Sequence, residues 1–361
     1  MRQNGLTQTL LAPFGSLYSV IVRSRTKLYQ TNRFQSYDLR APVVSVGNIT
    51  AGGTGKTPLV RFVAEKLAEN GHQVCILTRG YKRVNPHERA LVSNGKQILI
   101  DARTSGDEPF ELARQLLGVA AVVADKNRVS AGFWAKENLG STAFVLDDGF
   151  QHLRLKRDLD IVTIDATNPF GNGRLLPAGV LRDPLSALKR ADVFVLTRAD
   201  LSLEISNLKL EIRKINPHCP ILLAKNEIRQ LKPITEFLNA HAKTQNSGNL
   251  KSNSASGVSY SELKAAAFCA VGNPAAFFRD LEKVGLKIVA TETFPDHYAY
   301  RKTDVEHIVQ KSRENSAEIL ITTAKDAVKL EKINFDMPCF VAEAETVFDN
   351  AEPLLKLLEK L

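Results

Sequence analysis

Short apolar runs alternate with stretches of helical spacing along most of this chain. Runs at 43–46, 73–78, 119–124, 142–146, 160–165, 192–197 and 220–225 have strand length and are bounded by polar or turn residues. Helical patterns at 108–117, 126–138 and 201–215 lie between several of them, and another after Pro58 puts Leu59, Val60, Val63, Ala64 and Leu67 on one face. Strand followed by helix, repeated, predicts an α/β fold with a mainly parallel sheet flanked by helices. Residues 241–257 break the pattern: they are polar and rich in Ser, Asn and Gly, and read as a linker. Beyond it a smaller unit repeats the grammar, with apolar runs at 265–271, 286–291, 318–323 and 338–343 and an amphipathic end at 348–361. The expected organisation is an N-terminal segment 1–40, a core 41–225, a linker 226–260 and a smaller C-terminal α/β domain 261–361.

Residues 6–22 are mostly apolar but are interrupted by Gln8, Thr9, Pro13, Ser16 and Ser19. They fall short of the roughly 20 apolar residues a spanning helix needs. Arg23, Arg25 and Lys27 follow at once, so the segment reads as an interfacial helix on an anionic leaflet, the alternative being an amphipathic helix packed on the core. No small-residue cleavage site of a secretory signal follows it.

Charge sharpens this picture. Of a net +9, residues 1–40 carry six arginines and lysines against the single Asp38. A basic surface suits nucleic acid, anionic lipid or a phosphorylated substrate. No nucleic-acid-reading motif is present, which makes nucleic acid the weakest of the three. Cys75, Cys219, Cys269 and Cys339 are far apart, fit no disulfide framework or zinc spacing, and suit a reducing compartment.

The chemistry gathers where the first strand ends. Thr50-Ala51-Gly52-Gly53-Thr54-Gly55-Lys56-Thr57 links the strand at 43–46 to the helix after Pro58. Strand, glycine-rich turn and helix form the context of a phosphate-binding P-loop. Backbone amides and the helix N-terminus receive a polyphosphate, Lys56 reaches the β- and γ-phosphates, and the Thr57 hydroxyl holds Mg²⁺. The usual first glycine of this pattern is replaced by Thr50, with Gly52 and Gly53 supplying flexibility.

Other strand ends carry further candidates. The run at 142–146 leads into Asp147-Asp148-Gly149-Phe150-Gln151-His152, where Asp147 or Asp148 is positioned to hold or orient Mg²⁺. Arg79-Gly80-Tyr81 follows the run at 73–78. Asp107 stands where a helix cap would. A loop from Gly171 to Pro184 contains Arg174 and Arg182. Thr197-Arg198-Ala199-Asp200 loosely resembles a guanine-reading Thr-Lys-x-Asp, although a strand end with a helix cap is the plainer reading. A nucleotide switch built on that echo leaves Asp107, His297 and the second unit without a role.

In this order the blocks resemble the tetraacyldisaccharide 4'-kinases (lipid A 4'-kinases). The carriers are Ser45 to Pro58, Arg79-Gly-Tyr81, Gly106-Asp-Glu-Pro109, Asp147 to His152, the Leu-Leu-Pro-Ala-Gly loop with Leu181-Arg-Asp-Pro184, Gly272-Asn-Pro274, Phe294-Pro-Asp-His297 and Lys325-Asp-Ala-Val-Lys329. The resemblance implies a P-loop NTPase-like fold and transfer of the ATP γ-phosphate to the 4'-hydroxyl of a lipid-linked glucosamine disaccharide 1-phosphate, giving lipid IVA, with ATP and Mg²⁺. It implies work at the cytoplasmic face of the bacterial inner membrane, against an anionic leaflet. It also implies Asp107 as the base for the sugar hydroxyl and His297 as its partner, assembled when the two domains approach. Glu108, Gln151, His152 and Arg182 are implied for metal, nucleotide or substrate contacts. The family often has Glu where this chain has Ala324, so a role for that carboxylate does not carry over.

Overall fold

The computed structural model describes residues 5–81, 83–239, 263–295, 298–331 and 333–361. The polar stretch 241–257 and His297 lie outside the described residues. The chain forms two compact units that are not contiguous in sequence. The first comprises Met1–Ile100, Leu112–Lys225 and Thr346–Leu361; the second comprises Asp101–Glu111 and Asn226–Glu345.

The first unit opens with helix α1 (Gly5–Gln30). Its sheet and helices then follow as β1 (Val43–Gly47), α2 (Lys56–Glu69), β2 (Val74–Thr78) and β3 (Ala90–Ser93). Next come α3 (Ala102–Ser105) and α4 (Asp107–Gln115), of which the part up to Glu111 counts with the second unit. The first unit resumes with β4 (Ala120–Ala124), α5 (Arg128–Leu139), β5 (Ala143–Asp147), β6 (Leu159–Asp165), β7 (Val193–Thr197), α6 (Ile205–Ile215) and the start of β8 (Ile221–Pro233). The strand order here is β8-β7-β6-β1-β5-β2-β4-β3. Every pairing is parallel except β3 with β4.

β1, β2, β4, β5 and β7 are buried at every position, which is why they read as continuous apolar runs rather than alternating ones. Apolar side chains pack on both faces of this sheet. One layer includes Leu39, Leu77, Val123, Phe144 and Leu155; the other includes Ile49, Phe150, Val162, Phe194 and Ile212. The strand β3 was not expected from the sequence. It is short, half of it is only partly buried, and it lies antiparallel at an edge, so it carries neither a long run nor clean alternation.

α1 packs along one side against the loop that precedes Pro184. Gly15 is buried, and a side chain there would meet Ala178 and the Leu175 carbonyl at 3.4 Å. On the outer side Phe14, Leu17, Val20 and Ile21 are 56–61% exposed. Among the described residues no helix is long and apolar enough to cross a membrane.

In the second unit β8 continues into α7 (Ile234–Asn239), followed by β9 (Lys264–Cys269), α8 (Pro274–Lys283), β10 (Lys287–Thr293), α9 (Lys302–Glu314), β11 (Ile319–Thr323), α10 (Ala324–Ala327) and β12 (Cys339–Phe348). Its strands run β10-β9-β11-β12-β8, with β10, β9, β11 and β12 parallel. Ala265, Ala267, Leu281, Ile319 and Ile321 form its core. Two of the sequence blocks prove to be helix starts. Asn273 caps α8 by accepting from Ala276 N at 3.2 Å with Pro274 just inside, and Thr323 caps α10 by accepting from Asp326 N at 3.1 Å. The chain then returns to the first unit at Thr346, where Phe348 packs at a tilt against Phe62 with centroids 4.9 Å apart, and ends in α11 (Glu352–Leu358).

Candidate functional site

The parallel strands of the first unit end along one sheet edge, and the functional side chains of that unit stand there. β1 ends at Gly47, the loop 48–55 follows, and α2 starts at Lys56. Gly52 and Gly55 have φ of 118° and 74°, backbone conformations that glycine adopts without strain. Ala51, Gly52 and Gly53 are exposed, whereas Thr50 and Thr54 are buried. Thr54 shares a hydroxyl hydrogen bond with Thr163 at 2.7 Å, and its carbonyl accepts from Thr197 Oγ1 at 2.9 Å.

Thr50, the departure from the usual glycine, has a structural explanation. It forms an antiparallel bridge with Leu181, flanked by Ala51 N to Val180 O and Arg182 N to Ile49 O, both 2.7 Å. An extended residue braced by a neighbouring strand does not need glycine's freedom. The loop from Gly171 to Pro184 thus splints the phosphate loop.

β5 delivers the acidic pair. Asp147 is 6% exposed and accepts from Thr78 Oγ1, at the end of β2, at 2.9 Å. Asp148 sits at φ 52°, a conformation that Asp tolerates better than most residues. Arg182 grips its carboxylate through both terminal nitrogens at 2.6 and 2.8 Å, and Lys56 Nζ lies 3.5 Å away. Burial pushes the Asp148 carboxyl up, but Lys56 and Arg182 outweigh it and hold the group at about 2. Arg182 also donates to both the backbone and side-chain carbonyls of Asn48.

The turn after the pair is tight. A Cβ on Gly149 would meet Leu146 Cβ at 2.5 Å and Ser45 Oγ at 2.7 Å, and one on Gly47 would meet Phe150 Cβ at 2.6 Å. Gln151 Nε2 donates to Asn48 O and Asp183 Oδ2, both at 2.9 Å. Burial and the charges of Arg128, Arg157, Arg154 and Arg25 push His152 down to about 3, so it is neutral. α1 reaches the same loops: Tyr18 Oη donates to Arg182 O and Arg25 Nη2 to Gln151 O, both at 3.1 Å. Arg25, read from the sequence as part of a basic surface, is therefore tied to the acidic loop.

The donors fit Mg²⁺. Asp147, Asp148 and the Thr57 hydroxyl offer hard oxygen donors, and among the described residues no cluster of three His, Cys, Asp or Glu forms an all-protein cage. Mg²⁺ characteristically takes one or two carboxylates and leaves its other positions to water and phosphate.

Sequence reasoning missed Thr78, Arg128 and Asp165. Thr78 is the last residue of β2, and the strand-end rule that found Asp147 applies to it equally. Arg128 opens α5 and is 7% exposed, close enough to Asp147 and Asp148 to feel both charges; nothing local marks it. Asp165 ends β6 and pairs with Arg198, whose guanidinium also donates to Gly53 O at 3.3 Å. Thr197 and Arg198 therefore buttress the phosphate loop. Arg79, Tyr81, His87 and Lys126 line a separate cavity of about 380 Å³ at the ends of β2 and β4.

Asp107 and Glu108 belong to the second unit. Asp107 is the first residue of α4, and the backbone of Gly106 caps the helix by accepting from Phe110 N at 3.2 Å. Lys329 Nζ stands 3.6 Å from Asp107 Oδ2, and Lys325 Nζ 3.9 Å from Glu108 Oε1. One turn on, burial pushes Glu111 up to about 7.

A family model described as Tetraacyldisaccharide-1-P 4'-kinase matches residues 7–361. A curated protein of Halothermothrix orenii named Tetraacyldisaccharide 4'-kinase is 40% identical over 330 residues, covering 90% of this chain and 83% of that protein. Its namesake from Desulfotalea psychrophila is 36% identical over 350 residues, covering 95% and 94%. The crystal structure of the "apo" form of LpxK from Aquifex aeolicus in complex with ATP superposes with a TM-score of 0.74 at 30% identity, covering 98% of this chain and 99% of that one.

Proposed function

The chain belongs to the tetraacyldisaccharide 4'-kinase family, and from that premise we propose how its residues perform the reaction. The enzyme transfers the γ-phosphate of ATP to the 4'-hydroxyl of tetraacyldisaccharide 1-phosphate, forming lipid IVA. The observation that supports the site assignment is the meeting of the P-loop Lys56 with the strand-end Asp148 at 3.5 Å, with Arg182 on the same carboxylate.

The loop 50–57 binds the ATP phosphates through its amides and Lys56. Asp147, Asp148 and Thr57 would hold Mg²⁺, which when bound would supply positive charge against the phosphates. Asp107 takes the proton of the 4'-hydroxyl, with His297 as its partner. The hydroxyl oxygen forms a bond to the γ-phosphorus, the bond to the β,γ-bridging oxygen breaks, and that electron pair leaves on ADP. Lys56 and Arg182 counter the charge on the transferring group. Glu108 and Gln151 contact metal, nucleotide or acceptor. His152, neutral and among arginines, supports the acidic loop.

Membrane association is part of the same reading. The exposed Phe14, Leu17, Val20 and Ile21 of α1 and the nearby basic residues suit an anionic leaflet at the cytoplasmic face of the inner membrane. Beneath α1 lies a cavity of about 700 Å³ lined by Ser16, Ser19, Arg23, Arg174, Leu175 and Leu181.

The test is a radiolabelled ATP assay with purified protein, Mg²⁺ and tetraacyldisaccharide 1-phosphate in detergent micelles, beside a Lys56→Ala control. Label in the lipid, lost in the control, supports the assignment. Full transfer by the control removes Lys56 from the mechanism.

A further inference from the structure

The Lys325–Lys329 block is buried more deeply than a solvated turn requires. Asp326, on α10, is fully buried. Its Oδ2 accepts from Ala270 N at 3.0 Å and Thr323 Oγ1 at 2.7 Å, and its Oδ1 faces Lys329 Nζ at 3.4 Å. A backbone amide and a capping hydroxyl therefore fix this carboxylate. The Lys329 side chain is only 7% exposed, and its second acidic neighbour is Asp107 Oδ2 at 3.6 Å.

A buried ammonium persists only with paired, well-placed counter-charges. Here one partner is immobile and the other is the proposed base. We propose that Lys329, anchored by Asp326, is a positioning residue for Asp107: it fixes the direction of the carboxylate that receives the 4'-hydroxyl proton and compensates its charge. One turn further along α4, burial holds the Glu111 carboxyl up at about 7, with Lys325 and Lys329 acting against that rise. Lys325 meets Glu108 in a looser, more exposed version of the same arrangement. The inference rests on the reading of Asp107 as the base.

The experiment is steady-state kinetics on the full-length enzyme, with thermal midpoints recorded for each variant. Lys329→Gln is expected to lower kcat by about 10–100-fold, because small misplacements of a reacting group are amplified in rate, while the KM values for ATP and acceptor change by less than about twofold. Lys329→Arg should recover most of the turnover. Should Lys329→Gln fail to fold because Asp326 is left unpaired, Lys329→Gln with Asp326→Asn removes the buried pair together and must show the same fall in kcat. Adding Lys329→Gln to Asp107→Asn should cost nothing more, since the lysine acts through that carboxylate. A folded Lys329→Gln/Asp326→Asn enzyme with unaltered kcat overturns the inference, as does an equal loss in the Asp107→Asn background. Asp107→Asn with normal turnover refutes the base itself, and that outcome is read with Lys329 intact.

Discussion

Arg182 binds Asp148 end-on, with Nη1 at 2.6 Å from one carboxylate oxygen and Nη2 at 2.8 Å from its mate. The same residue donates through its backbone amide to Ile49 O at 2.7 Å, so one arginine ties the acidic turn to the phosphate loop by both main chain and side chain. Lysine cannot reproduce a planar two-point grip. Arg182→Lys is expected to lower kcat/KM by about tenfold or more despite the retained charge, with Arg182→Ala lower still. Equal kcat/KM for Lys and Arg at this position would reduce the contact to simple charge.

The turn at Gly149 is a packing requirement. A methyl group there meets the side chain of Leu146 and the hydroxyl of Ser45, both in the sheet. Gly149→Ala should destabilise the protein by about 1–3 kcal/mol, the usual range for overpacking a filled site. Urea unfolding measures it, and an unchanged midpoint would show that the turn moves aside freely.

α1 has two separable jobs. Leu17→Glu with Ile21→Glu changes only its outward face, where both residues are more than half exposed. Co-sedimentation with anionic vesicles should fall by at least about tenfold, since each aliphatic side chain contributes on the order of 1.5–3 kcal/mol when buried. Tyr18→Phe instead removes the bond to Arg182 O. It should leave sedimentation unchanged and reduce turnover in micelles. Vesicle binding untouched by the two glutamates would remove the outward face from membrane association.

His152 makes stability depend on pH in a defined direction. In the fold it is held near 3, well below its ordinary 6.5. Between those values the unfolded chain binds the proton and the folded chain does not, so stability falls as pH drops from about 6.5 toward 3. His152→Asn should flatten that part of the curve, as read by denaturant unfolding at a series of pH values. Parallel curves for the two proteins would show that the imidazole takes up its proton at the same pH in the folded and unfolded chain.

The chain itself determined the elements whose burial is local and continuous. The runs 73–78, 119–124 and 142–146 became β2, β4 and β5 within a residue or two, because a strand covered on both faces needs apolar side chains at every position. The glycine-rich turn between β1 and α2 was legible because its glycines are close together and two of them take the left-handed backbone the turn requires. That Asp147 and Asp148 end a buried apolar strand was legible, because β5 is covered at every position up to Asp147. What the tertiary structure alone decided is pairing at a distance. Asp148 selects Arg182 and Lys56, Asp107 faces Lys329, and the segment Asp101–Glu111 belongs to the second unit although the chain on both sides of it belongs to the first. A side chain's type states what partner it needs, but the packing of far-apart segments brings that partner within a few ångströms.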